Sequence, residues 1–190
     1  MARELLGKVL VRELGESRLA ARVVEVEAYL GERDPASHAF PGLTPRNAVM
    51  FGAPGFAYVY FIYGVHYCLN VSCQREGLAG AVLFRALEPL VGLAEMARER
   101  KISLDGPADL RKLTSGPGRL AEAFGVTRIR DNGCDLTAPA SGLWIGDDGF
   151  RAGKILTTPR IGITKAAEHR LRYVLAGNAF VSGKKVRVSD

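Results

Sequence analysis

The chain of 190 residues contains only three cysteines, Cys68, Cys73 and Cys134, an odd count with no Cys-x-x-Cys spacing. This excludes a disulfide framework and a zinc knuckle, and the thiols read as small buried hydrophobes. A zinc site from the three histidines, His38, His66 and His169, lacks local ligand spacing, so neither metal nor cofactor is expected. A glycine-rich nucleotide phosphate loop and a Gly-x-Ser-x-Gly elbow are also missing. The N-terminus MARELLGKVLVREL carries Arg3, Glu4 and Lys8 and has no apolar stretch long enough for a signal peptide or a membrane span. The expectation is a cytoplasmic protein with no membrane partner. No internal repeat or low-complexity tract divides the chain, and glycine and proline do not pool into a linker, so residues 1–190 read as one domain.

Positive charge is in surplus: 26 Lys and Arg against 20 Asp and Glu leave a net +6, with a pI near 9.4. Such a surplus suits a polyanionic partner without identifying one. Arginine greatly outnumbers lysine, which fits phosphate recognition.

Hydrophobic patterning gives the elements. Ala2 to Leu6 reads as a short helix ended by Gly7, followed by a strand in KVLVREL and a turn at Gly15, Glu16 and Ser17. In LAARVVEVEAYLG, alternation places Val24, Val26 and Ala28 on one strand face, and Val23, Glu25, Glu27 and Tyr29 on the other. The segment GERDPASHAFPG, holding His38, is a loop. Thr44 reads as an N-cap, with Pro45 opening a short helix that ends at Gly52. The stretch YVYFIYGVHYCLN reads as a hairpin, with a two-residue turn at Gly64-Val65 and a return strand from Tyr67 to Cys73. Tyr58, Tyr60 and Ile62 share one face, and Val59, Phe61 and Tyr63 the other. Tyr58 and Phe61 read as core, whereas Tyr63, beside a wet tip, reads as a ring that touches a partner. GAVLFRALEPL is a buried strand in which Arg85 needs a partner. Leu90, Leu93, Met96 and Ala97 recur at helical spacing, Asp105 and Pro107 open a helix through Leu113, and Pro117 starts another, ended by Gly125. The N-terminus of that last helix, with Arg119, suits a phosphate. Short strands follow around Trp144, Ile155, Ile161 to Ile163 and Leu171 to Leu175, before a Lys184-Lys185 tail. This order predicts an α+β fold: a largely antiparallel curved sheet with flanking helices and a protruding hairpin.

Glu25 and Glu27 lie roughly 6–7 Å apart along one strand face. The simplest reading is a solvated face, and the alternative is a glycosidase-like carboxylate pair.

The ordered motifs EVEAYLG, DPASHAF, TPRNAVMF, YVYFIYG, CLNVS, LFRALEP and SGPGRL, which span most of the chain, resemble the alkyladenine DNA glycosylase family. The resemblance implies a monomer that removes damaged purines of the 3-methyladenine, hypoxanthine and ethenoadenine class from double-stranded DNA through the minor groove. It implies base flipping, a general base at Glu27 and Arg85 holding the attacking water. Tyr29, His38, Tyr60 and Asn70 would form the base pocket, Asn70 turning guanine away, and Tyr63 would be the intercalating wedge. Arg46 and Arg119 are candidate backbone contacts, and Arg160, Lys165 and Arg172 could also touch phosphates. Glu25 is expected to tolerate conversion to Gln within a few fold. Lysine is missing from the matched pocket positions, which implies hydrolysis to an abasic site without lyase chemistry. In a cell without a nucleus such an enzyme would sit on the nucleoid. The alternatives are a catalytically inactive damaged-DNA-binding module of the same fold and an RNA-acting hydrolase. Intact Glu27, Tyr29 and Tyr60 weigh against the first, and a wedge that needs a duplex weighs against the second.

Overall fold

The two-residue link Gly15-Glu16 folds β1 (Val9–Leu14) against β2 (Ser17–Tyr29), with Leu14 opposite Ser17. The computed structural model, which describes residues 1–62 and 64–183, makes β2 the spine of one antiparallel sheet. One edge of β2 pairs with β5 (Ala81–Val91). Its other edge pairs first with β1 and then, over Glu25 to Glu27, with β8 (Arg172–Leu175). Val23, Val24 and Val26 accordingly have no exposed surface. Beyond β5 come β4 (His66–Ser72) and β3 (Ala57–Ile62), beyond β1 comes β6 (Leu143–Gly146), and β7 (Ile155–Thr158) pairs with β8.

A short α1 (Ala2–Leu5) packs on β2. Three helices, α2 (Leu93–Arg100), α3 (Leu110–Thr114) and α4 (Pro117–Ala123), cover β2, β4 and β5. Their Met96, Leu113 and Leu120 join Val59, Leu69, Val71 and Phe84 in the main core. A one-turn α5 (Arg128–Asp131) is capped by Thr127, whose side chain accepts from the Arg130 N–H. Because neighbouring strand residues face opposite ways, Tyr58 belongs to a second, smaller cluster with Ala39, Met50, Ala79 and Ala81. The cavity described below opens beside this cluster.

The expected α+β fold with an antiparallel sheet and flanking helices is present, with local departures. Gly64 and Val65 lie in the hairpin turn, as expected, and Ile62 pairs with His66, so the return strand starts at His66, one residue earlier than expected. Gly64 takes φ +68°, the left-handed region that glycine enters without steric cost. Phe61 is not core: it is 47% exposed and lies against Tyr67, their centroids 4.9 Å apart. Thr44 does not cap a helix at Pro45. Its N–H donates to Asn47 Oδ1 at 2.7 Å, and helical geometry is confined to one 3-10 turn, Ala48–Phe51, before Gly52. Leu90 belongs to β5, which runs on to pair Val91 with Ala20, so helix α2 begins only at Leu93. Ile161 to Ile163 form no strand, because the Ile161 N–H is taken by a side chain. Tyr63 and the Lys184-Lys185 pair lie outside the described residues.

Candidate active site

A cavity of about 430 Å³ opens where the ends of β2, β3, β4 and β5 meet the segment after β7. That volume is in the range of small-molecule sites. Cross-strand register explains one wall: Tyr58 opposes Asn70 and Tyr60 opposes Cys68, so all four project to the same face. His38 enters from the loop after β2, which Asn47 pins by donating through Nδ2 to the His38 and Gly42 carbonyls at 2.9 Å each. The His38 and Tyr60 rings meet edge to face, 4.5 Å between centroids, and His38 Nδ1 lies 2.9 Å from the Tyr58 hydroxyl. Pro117, at the start of α4, lines the far side. The next residue, Gly118, packs closely here: a Cβ on it would lie 3.0 Å from the His66 ring at the base of the hairpin, so a larger residue requires that ring to shift.

The polar end of the cavity arises from a bulge. Between the pairs Glu25–Ala86 and Val26–Phe84 the register skips Arg85, so the extra residue turns its guanidinium toward β2. Arg85 Nε donates to Glu25 Oε1 at 2.9 Å, and Arg85 Nη1 stands 3.4 Å from Glu27 Oε1. Glu27 has no exposed surface. Its Oε1 accepts from the Ile161 N–H at 2.8 Å and its Oε2 from the Tyr29 hydroxyl at 3.0 Å. The donors Tyr29, Arg85 and Ile161 all line the cavity, so the carboxylate lies immediately behind its wall.

The electrostatics keep the aromatic wall neutral. Burial, then the Glu27 charge, pushes the Tyr29 phenol well above its ordinary value, so it remains a donor. Burial does the same to Tyr60, and lifts the Cys68 thiol to about 11. Burial, then Arg46, lowers His38, which favours a neutral imidazole. Burial opposes the Arg85 charge, but Glu27 and Glu25 outweigh it, so Arg85 stays a guanidinium.

Glu27, Arg85, Tyr29, His38, Tyr60 and Asn70 therefore converge on one place. Asn70 is buried and donates through Nδ2 to the Tyr58 carbonyl at 2.9 Å, so the uncommitted end of its amide is the oxygen. Arg46 is exposed at the rim, its guanidinium carbon 5.9 Å from the Tyr60 ring centre. Arg119 is exposed two residues beyond Pro117. The solvated reading of the carboxylate pair is overturned, since Glu25 and Glu27 both have zero exposure. Arg160 and Arg172 are also buried and serve internal ion pairs, which removes them as phosphate contacts. Arg160 binds Asp34 through two nitrogens and stacks behind Tyr29, 4.6 Å from the ring centre. Among the described residues no group of three His, Cys, Asp or Glu side chains could hold a metal ion.

Sequence reasoning missed three contributors. Tyr58 was legible from its period-two relation to Tyr60, and Cys68 from its register with Tyr60. The segment from Arg160 to Ile163 had no local signal, because its partners are more than 120 residues away.

A buried carboxylate set behind a neutral aromatic wall, with a fixed guanidinium beside it, suits a hydrolase that stacks a flat ring and activates water. The comparisons agree. A family model for methylpurine-DNA glycosylase matches residues 1–179. A Koribacter versatilis (strain Ellin345) protein named "Putative 3-methyladenine DNA glycosylase" is 60% identical over 185 residues, 97% of this chain and 88% of the relative. Proteins with the same printed name from Methanocella arvoryzae and Alkaliphilus oremlandii are 47% and 41% identical, over 90% and 97% of this chain and 82% and 93% of their own. The chain belongs to the methylpurine-DNA glycosylase family. It is thus a DNA glycosylase, a hydrolase acting on N-glycosyl bonds.

Proposed function

We propose that this enzyme acts in base excision repair as a single glycosylase domain. In this reading it flips 3-methyladenine, and lesions of the hypoxanthine and ethenoadenine class, out of duplex DNA and hydrolyses the bond to the sugar. The observation that carries the reading is Glu27, fully buried yet bonded to three of the groups that shape the aromatic cavity only through two hydrogen bonds and one looser contact. An ionised carboxylate has about four acceptor positions, and two are taken, so capacity remains for a water.

Glu27 accepts a proton from that water while the water oxygen bonds to C1′ of the sugar, and the base leaves with the electron pair of the N-glycosidic bond. The carboxylate also offsets the positive charge that grows on the sugar, and Arg85 steadies water and carboxylate together. An alkylated purine is electron-poor and stacks well on Tyr29 and Tyr60, while His38 contacts the base or its sugar-phosphate. The Asn70 amide crowds the 2-amino group of guanine, so the undamaged base is rejected. Flipping costs a few kcal/mol, and the hairpin of β3 and β4 offsets it by placing Tyr63 in the vacated stack from the minor groove. Ile62, the last residue of β3, already lines the cavity. Arg46 and Arg119 contact the DNA backbone, and the net +6 charge favours that association.

No residue lining the cavity among those described is a lysine, which supports hydrolysis to an abasic site without strand cleavage. The buried ion network around Glu27 supports an active enzyme over an inert binding module. Among the described residues no helix is long and apolar enough to cross a membrane. In the reading proposed here the enzyme works in the cytoplasm, on DNA, as a monomer.

The test uses duplexes carrying 3-methyladenine, hypoxanthine or ethenoadenine, with alkali to cleave the abasic product. Glu27→Gln should reduce excision by at least ~10²-fold while lesion binding persists. Near-parental excision by Glu27→Gln would remove it from the mechanism.

A further inference from the structure

Hydrolysis by Glu27 leaves a second buried carboxylate without a task, and its burial between two guanidiniums argues against the tolerance of Glu25→Gln expected from the sequence. Glu25, two residues earlier on β2, has no exposed surface and accepts four hydrogen bonds among the described residues. Its Oε1 accepts from Arg85 Nε at 2.9 Å, Arg172 Nε at 2.6 Å and Ser182 Oγ at 2.9 Å, and its Oε2 accepts from the Ser182 N–H at 2.5 Å. Arg85 is shared: one edge rests on Glu25 and Nη1 reaches toward Glu27. Two carboxylates and two guanidiniums therefore form one buried group with no net charge. Resting on the assignment of Glu27 as base, we propose that Glu25 is a positioning residue for excision, fixing Arg85 against Glu27 and offsetting enough positive charge to keep Glu27 a competent proton acceptor.

A purely structural Glu25 would tie β2 to β8 and to Ser182 and affect folding alone. The two roles separate through the sign of an electrostatic effect. Glu27 is faced by Tyr29 on its own strand, Arg85 on β5, Cys68 on β4, Arg160 after β7, and the Glu25–Arg172 pair bridging β2 to β8. Tyr29 and Cys68 are held neutral by burial. Removing the Glu25 charge leaves the guanidiniums bearing on Glu27 alone and makes it a weaker base. The acid limb of the excision profile then moves to lower pH. Removing the Arg172 charge leaves Glu25 less compensated and moves the limb up. Loosened packing cannot produce opposite signs.

The experiment is single-turnover release of 3-methyladenine from methylated duplex DNA across the acid and neutral range. This leaving group is already cationic, so the acid limb reports the base and not protonation of the leaving group. Glu25→Gln, Glu25→Asp, Arg172→Gln and Glu27→Gln are compared with the parent, each with a thermal melt. Expected are a lower limb and a plateau reduced about 10-fold or more for Glu25→Gln, a raised limb for Arg172→Gln, and a parental limb for Glu25→Asp, which keeps the charge. Unmoved limbs in Glu25→Gln and Arg172→Gln, with lowered melting temperatures, overturn the proposal and leave Glu25 structural. Should Glu25→Gln fail to fold, the direction in Arg172→Gln decides alone. Parental rates in Glu27→Gln defeat the underlying assignment instead, a result distinguishable from either.

Discussion

Replacing Asp34 by Asn keeps the shape of the side chain but removes the charge that Arg160 faces across a pair with both side chains at zero exposure. Arg160 holds more than Asp34. Its Nη1 also donates to the Ala28 carbonyl at 3.0 Å, its plane backs Tyr29, and the next residue presents its N–H to Glu27. Its Nε is already buried without a partner among the described residues, so no spare interaction compensates when the carboxylate charge goes. Breaking a buried pair from one side costs about 3–5 kcal/mol. For a chain of this size each kcal/mol lowers the melting temperature by about 2–4 °C, so a fall of roughly 6–20 °C is expected. The double variant Asp34→Asn with Arg160→Met removes both charges and should melt above Asp34→Asn alone.

The pH dependence supplies a second signature. Burial opposes ionisation of Asp34, but Arg160 and the N–H groups of Leu30 and Ala36 outweigh it, so the carboxyl ionises below its ordinary 3.8. A carboxyl held lower in the folded state than in the unfolded one contributes stability above the unfolded value, and that contribution is lost as pH falls through the folded value. The gap in melting temperature between parent and Asp34→Asn should therefore be full at neutral pH and narrow only below about 3.8. Excision should fall too, by up to about 10²-fold, since Tyr29 and the Ile161 N–H lose their anchor. The measurements are melts over a pH series beside single-turnover excision. A melting temperature within about 2 °C of the parent at neutral pH, or a double variant less stable than Asp34→Asn, would refute the clasp.

Two further outcomes test the cavity and the hairpin. Asn70→Ser or Asn70→Gly opens space beside the base, so release of undamaged guanine should rise relative to hypoxanthine; an unchanged ratio makes Asn70 structural. Tyr63→Ala should weaken flipping, followed by ethenoadenine fluorescence in a duplex, by roughly 1–3 kcal/mol with little change in melting temperature or in the salt slope of nonspecific binding. A large melting loss with flipping unaltered would return Tyr63 to the core.

The parts of the site that follow a local period could be read from the sequence. Alternation along β3 placed Tyr58, Tyr60 and Ile62 on one face, and all three line the cavity. Glycine marked the hairpin turn, and proline the start of α4. Alternation could not say which strand faces are wet. Phe61, an aromatic in a strand, is half exposed because β3 is the last strand of its side of the sheet, while charged Glu25 is sealed because β2 lies at its centre. Arg85 announced that it needed a partner, but the bulge that aims it arises from pairing between strands and has no signature within either one.

Glu25 and Glu27 show the limit most sharply. They are the same residue type, on one strand, two positions apart, and both border Arg85, so nothing local divides their roles. The division comes from the far end of the chain. Around Glu25, β8 delivers Arg172 and the segment after it delivers Ser182, donors from 147 and 157 residues away. Among the described residues Glu27 accepts from one backbone N–H, that of Ile161, 134 residues away, and from one hydroxyl on its own strand. A buried carboxylate held by four donors is fixed as a partner for its neighbour, whereas one held by two keeps more acceptor capacity for a water. The same strand thus carries an anchor and a candidate base, and the distinction is written in which distant donors reach each of them.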